Sequence, residues 1–258
     1  SQMGWEFQGS RFLSDISFEA VGKTAAERAV RLLGAKRLNA KKAPIVLEAQ
    51  VAVDFLRIFA SLLSSDAVQK GKSLLKGKVG QMVISENLSI IDDGTLRGRL
   101  GTKPVDDEGV PTYKKTLIKA GVLEGFMYNT YTAKKDNVSS TGNAIRGDFS
   151  GVPSVGPTNL YIESKEVVSD LAGSLGTGLV ITDAMGVHMA NPVSGDFSIG
   201  VSGLWVDEGL VRYPVKEAVI SGNILGFFKG VLASGEDLRF YGNIGSPSLL
   251  VGPIDIGA

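Results

Sequence analysis

The chain has 258 residues, 43% of them hydrophobic, enough for a packed core in one large domain or two small ones. Lysine plus arginine equals aspartate plus glutamate at 27 each, which argues against a protein that holds nucleic acid through surplus cationic charge. One histidine and no cysteine exclude a self-sufficient zinc site of the His/Cys type and any disulfide framework, and they fit a reducing, cytoplasmic setting.

The opening Ser1-Gln2-Met3-Gly4-Trp5 lacks an initiating methionine and reads as a tag scar or the start of an excised fragment, with no signal peptide visible. The first helix is expected near Thr24, where Thr24 and Glu27 form a capping box and Ala26, Ala29, Val30 and Leu33 follow at helical spacing. Gly34 stands where a glycine ends a helix. Residues 35–43 are a basic connector, and 44–48 read as a short strand. A second helix is expected over about 51–63, with Ala52, Phe55, Leu56, Phe59 and Leu63 inward and Asp54, Arg57 and Ser61 outward. Glu48, Asp54 and Arg57 interrupt this most apolar stretch, so no membrane span is expected.

From about residue 80 the period changes. Strands are expected at 82–84 and 88–91, ending at the turn Asp92-Asp93-Gly94, and over 116–128 as two strands around Ala120-Gly121. Further strands fit at 159–163, 179–182, 196–206, 210–220 and 238–241. The pair 196–206 and 210–220 forms a hairpin through Asp207-Glu208-Gly209, with Pro214 in the returning strand. A late helix fits 223–233, weakened by Gly226 and Gly230. The expected class is α+β: two front helices within a mixed segment 1–80, then a largely antiparallel β domain over 81–258 with one late helix. The 33 glycines, well above the usual share of about 7%, suit many short strands and turns.

Asp106, Asp107 and Glu108 stand consecutively in the block 101–112. They read either as a hard-cation or acid/base site or as a tight turn whose aspartates bond their own backbone. In 140–148, Asn143 and Arg146 offer a polar anchor for a peptide backbone or carboxylate, or else a glycine-bounded loop with a salt-bridged arginine. His188, beside Asn191, Ser194, Asp196 and Ser198, could act as a general base, but no serine stands in a nucleophile-elbow pattern. The lysines at 70, 72, 76 and 78 lack the upstream glycine of a phosphate loop and read as a solvated face.

Taken together, GKVGQMVIS at 77–85, PVDDEGVPT at 104–112, GFMYNTYTAKK at 125–135, STGNAIR at 140–146, HMANPVSGDFSIGVSGLWVDEG at 188–209 and PVKEAVISGN at 214–223 resemble the TldD/PmbA family. The family is named for suspected modulators of DNA gyrase, and the resemblance is closer to its PmbA, or TldE-type, branch. It implies that the chain is the C-terminal portion of a longer protein whose N-terminal α/β domain is absent here. It also implies a role in cytoplasmic proteolysis beside a TldD-type zinc subunit carrying HExxxH. The pair would trim leader peptides or unfolded peptides. Anchored on 77–80, the HExxxH position falls on Leu56-Arg57-Ile58-Phe59-Ala60-Ser61, where neither histidine nor the glutamate is present.

The resulting expectation is a metal-free subunit with no catalytic residue and no cofactor of its own, zinc residing in the partner. It would help enclose a chamber and hold extended peptide by strand addition. The expected substrate-contacting set is Asp106, Asp107, Glu108, Asn143, Arg146, His188 and Asp196. When isolated, the chain could pair with itself. Two alternatives stand beside this: a stand-alone peptidase using oxygen ligands at 106–108 or a serine near His188, and an interaction protein acting on gyrase.

Overall fold

The computed structural model describes residues 2–187, 190–191 and 193–257. An irregular N-terminal segment leads into helix α1, Phe18–Val30. Ser17 caps it by accepting the Ala20 N–H at 3.2 Å. The expected start at Thr24 is therefore too late. Thr-x-x-Glu spacing fits a helix interior as well as a start, and α1 buries no residue whose periodicity would locate its beginning. Gly34 does take a left-handed φ of 75° in the turn beyond the helix.

Strand β1, Lys41–Leu47, and helix α2, Ala49–Leu62, lie close to their expected bounds. The chain continues through α3, Ser65–Gln69; β2, Leu88–Asp93; β3, Lys114–Lys119; β4, Val122–Leu123; α4, Thr130–Asp136; β5, Ala144–Ile145; and β6, Ser154–Val155. Next come β7, Leu160–Ser164; α5, Leu171–Leu175; β8, Gly178–Met185; β9, Asp196–Asp207; and β10, Leu210–Asn223. The last elements are α6, Ile224–Lys229; β11, Val231–Ser234; β12, Arg239–Tyr241; β13, Ile244–Ser246; and β14, Leu249–Gly257.

The class is α+β, as expected. One 6-stranded sheet runs β1-β8-β9-β10-β14-β11, and β1 also pairs with β14, so β1, β8, β9, β10 and β14 close into a small barrel. A second 6-stranded sheet runs β12-β13-β7-β2-β3-β4. Both are mixed rather than uniformly antiparallel, because β1 runs parallel to β8 and β13 runs parallel to β7. The β9–β10 hairpin is present as read. Glu208 and Gly209 take φ of 53° and 74°, the two-residue turn whose twist matches paired strands.

Three local expectations need correction. Residues 82–84 make only an isolated bridge, Met82 to Val122, and nothing beyond Leu123 continues as strand to 128. The late helix stops at Lys229, and 231–234 extends as β11 against β14, because burying Val231 and Ala233 on the sheet outweighs helix continuation past Gly230. The nine-residue β14 was hidden by Gly252 and Pro253. Its ladder with β1 shifts between Ala43/Ile254 and Ile45/Val251, so Pro44 and Pro253 both fall in the gap, where neither must donate a hydrogen bond.

Helix α2 packs against β1 and β8 of the barrel on one side and β12–β13 of the second sheet on the other. Phe55 stacks on Phe227 at 4.6 Å and meets Phe197 edge-on at 5.3 Å, while Phe59 meets Phe228 at 4.9 Å. Each such pair adds about 0.5–1.5 kcal/mol beyond the area it buries. Replacing fully buried Phe55 by alanine should cost about 3–5 kcal/mol, with Phe55→Leu losing a smaller part, as read by urea denaturation.

Candidate functional site

The consecutive carboxylates do not converge. Asp106 is buried; its Oδ1 accepts the Glu108 and Val110 N–H groups at 2.9 and 3.0 Å, and its Oδ2 accepts the Ala144 N–H at 3.0 Å. Asp107 is exposed, with Oδ1 on Lys103 at 2.8 Å and Oδ2 on the Arg146 N–H at 2.8 Å. The Lys103 hydrogen bond, aided by the Arg146 N–H, holds its carboxyl below the usual carboxylate range. Glu108 turns elsewhere and accepts the Thr130 N–H at 2.7 Å, at the start of α4. The aspartates bond neighbouring backbone, as the turn reading expects, and the block is stapled to β5 and α4.

Asn143 belongs to the same neighbourhood, fully buried. Its Nδ2 donates to Asp92 at 2.8 Å and to the Gly156 carbonyl at 3.0 Å, and its Oδ1 accepts from Thr141 at 2.6 Å. Asp92 also takes Lys115 at 3.0 Å and the Thr158 N–H at 2.7 Å, so a buried ion pair anchors β2 to β3 and to the 143–158 region. Arg146 is exposed and donates to the Gly151 carbonyl at 2.6 Å. The structure thus gathers Asp106, Asp107, Glu108, Asn143 and Arg146. Asp196 opens β9 elsewhere, where Asn223 donates to it at 3.0 Å and holds its carboxyl below the usual range, with Ser194 adding to the effect. His188 lies outside the described residues. Among the described residues, no group of three or more His, Cys, Asp and Glu side chains is placed to hold a metal ion.

A second constellation lies on α2. Asp54, Arg57, Ile58 and Ser61 share its one uncovered face and, with Ala184, Gly186, Val187 and Ala190 from the end of β8 and beyond, line a cleft of about 460 Å³. Arg57 pairs with Asp54 at 3.0 Å and donates to the Tyr241 carbonyl at 3.4 Å. Partial burial pushes the Asp54 carboxyl up from its ordinary value; Arg57 opposes this, and the Asp183 carboxylate adds to it. The outward position of Asp54, Arg57 and Ser61 was legible from helical spacing. That residues 184–190 face them was not, since only tertiary packing sets those segments together.

The family profile described as PmbA/TldA metallopeptidase C-terminal domain matches residues 40–258. The chain belongs to the PmbA/TldD metallopeptidase family. It is 31% identical over 258 residues to a metalloprotease PmbA homolog of Buchnera aphidicola, covering 99% of this chain and 55% of that protein. It is 33% identical to a metalloprotease TldD homolog of Haemophilus influenzae, over 83% of this chain and 47% of that one. A Thermotoga maritima crystal structure, named for a candidate modulator of DNA gyrase, superposes with a TM-score of 0.90 at 35% identity, over 96% of this chain and 57% of that chain. TldE of Thermococcus kodakarensis, at 24% identity and a TM-score of 0.82 over 93% of this chain and 55% of that one, shares the fold. The chain spans about half the length of the relatives it matches.

A metallopeptidase family raises the question of zinc, and the residues on α2 where the resemblance expects HExxxH do not suit it. Leu56 is fully buried and aliphatic, Arg57 is a cation, and the Ser61 hydroxyl donates to the Ile58 carbonyl at 2.7 Å. Positions 56 and 61 also point about 140° apart on a regular helix at 3.6 residues per turn.

Two outcomes are expected. Lys115→Met leaves Asp92 buried without its partner and should cost about 3–5 kcal/mol in denaturant unfolding. In an NMR titration, Asp183→Asn should lower the Asp54 midpoint and Arg57→Gln should raise it. Because the folded value is the higher one, the Asp54 contribution to stability is full below the unfolded carboxylate's pKa and is lost as pH rises through the folded one.

Proposed function

We propose that this chain is the metal-free, PmbA/TldE-type half of a two-subunit cytoplasmic metallopeptidase acting on unfolded or leader peptides. Zinc and the general base come from a TldD-type partner. The observation that carries this reading is the face of α2. At the positions where the resemblance expects HExxxH, the helix instead turns Leu56 into the core and carries Arg57 and Ser61 outward, each unsuited to hold zinc or take a proton.

In this reading the α2 cleft binds rather than cuts. Arg57 offers guanidinium donors to a peptide carbonyl or carboxylate, and Asp54 offers an acceptor to a peptide amide. Among the residues expected to meet substrate, Asp106 and Asn143 act from within, shaping the loop that carries Asp107, Glu108 and Arg146; Arg146 and Asp196 are open to solvent.

The test uses the full-length protein and an unfolded peptide, alone and with a co-expressed TldD-type partner, with zinc quantified in each sample. Cleavage and zinc in the mixture only are expected. Arg57→Ala should then slow cleavage by about tenfold, the scale of one charged hydrogen bond, without removing zinc. Cleavage with stoichiometric zinc in this chain alone would overturn the reading.

A further inference from the structure

Beside the cleft described above, with Arg57 reaching the Tyr241 carbonyl between them, lies a second cleft of about 460 Å³ between α1 and β12. Its walls are residues 6–10, the N-terminal half of α1, the turn 97–100 and residues 238–242. We propose that this cleft binds an acidic, extended stretch of peptide, an inference that rests on the peptide-handling role proposed above and names the charge of the peptide.

The charge inventory carries the argument. The whole chain is neutral, yet Arg97, Arg99 and Arg239 all line this one cleft. Arg11, outside the lining, donates to the Arg99 and Leu100 carbonyls at 2.9 and 3.3 Å and also to the Thr102 carbonyl. Its charge is therefore spent on carbonyls, not on a carboxylate. Of the two acids of the lining, Glu6 is taken up by Arg239 and Arg28, and neither acid pairs with Arg97 or Arg99. Glu6 is almost fully buried and is held at 3.2 Å by both Arg28 and Arg239. Asp15 accepts the Ser10 hydroxyl at 2.8 Å. Among the described residues, Arg11, Arg97 and Arg99 make no ion pair. The cleft also meets the first turn of α1, where the helix dipole favours negative charge.

Peptide fits better than nucleic acid. The wall at 238–242 is β12 with its flanks, the outer strand of its sheet, so an extended chain meets main-chain groups as well as arginines. A nucleic acid strand would need several open aromatic faces in series for its bases, and of the rings in this cleft only Phe7 is open, Tyr241 being buried. The ring of Phe240 is covered on one side by the Arg99 guanidinium at 4.2 Å and flanked by Tyr161 at 5.8 Å.

Fluorescence anisotropy on the full-length protein without any partner subunit tests this. The probes are a short labelled peptide of alternating glutamate and glycine, its glutamine counterpart, and a single-stranded oligonucleotide of equal charge. The glutamate peptide should bind about tenfold tighter than the glutamine one, and Arg97→Gln/Arg99→Gln should erase that difference while leaving the melting temperature in place. Arg97→Glu, at an exposed position, should do the same even if Arg99 proves to support Phe240. Equal binding of the two peptides, or an unchanged preference in both variants, overturns the proposal, and tighter binding of the oligonucleotide overturns the choice of peptide. Loss of peptidase activity on mixing subunits, with glutamate-selective binding retained, would fell the subunit reading and leave this cleft's chemistry standing.

Discussion

The structure depends on the burial of α2. It sits between the barrel strands β1 and β8 and the outer hairpin β12–β13, and its phenylalanines interlock with Phe197, Phe227 and Phe228 from β9 and α6. Close packing of large side chains on several sides leaves little freedom in rotation or register, since a shift of one residue would push aromatic rings into strands. One polar stripe stays uncovered, and the candidate cleft forms there. The position of Asp54 and Arg57 is thus a consequence of where Phe55 and Phe59 must go.

A second constraint is the closure of the barrel by β14. That strand pairs with β1 along one edge and with β11 and then β10 along the other, tying the end of the chain to its first strand. The closure holds the start of α2, separated from β1 by Glu48 alone, in fixed relation to β8. Both walls of the α2 cleft therefore rest on the same ladder.

Much of the charged chemistry that stands out in the chain serves structure. Asp106 satisfies three backbone N–H groups of its own loop and of β5, and Asp92 balances Lys115 in the interior. Unpaired buried donors are costly, so such carboxylates hold loops in place as firmly as apolar contacts do. The arginines around 97–99 differ, because no carboxylate among the described residues answers them.

The amino-acid pattern alone determined the α+β class, the inward stripe of α2, the hairpin turn at Glu208-Gly209 and the family. Each depends on local spacing or on a run of residues read in order. Tertiary structure decided the rest. The start of α1 was set by Ser17 on a helix too exposed to show its period. The strand β14 was admitted despite Pro253 because its partner strand carries Pro44 at the same break in the ladder. The parallel pairings of β1 with β8 and β7 with β13 join segments far apart in the chain, and no local signal specifies a partner at that distance. Neither cleft was legible for the same reason: its walls come from segments that meet only when the core closes.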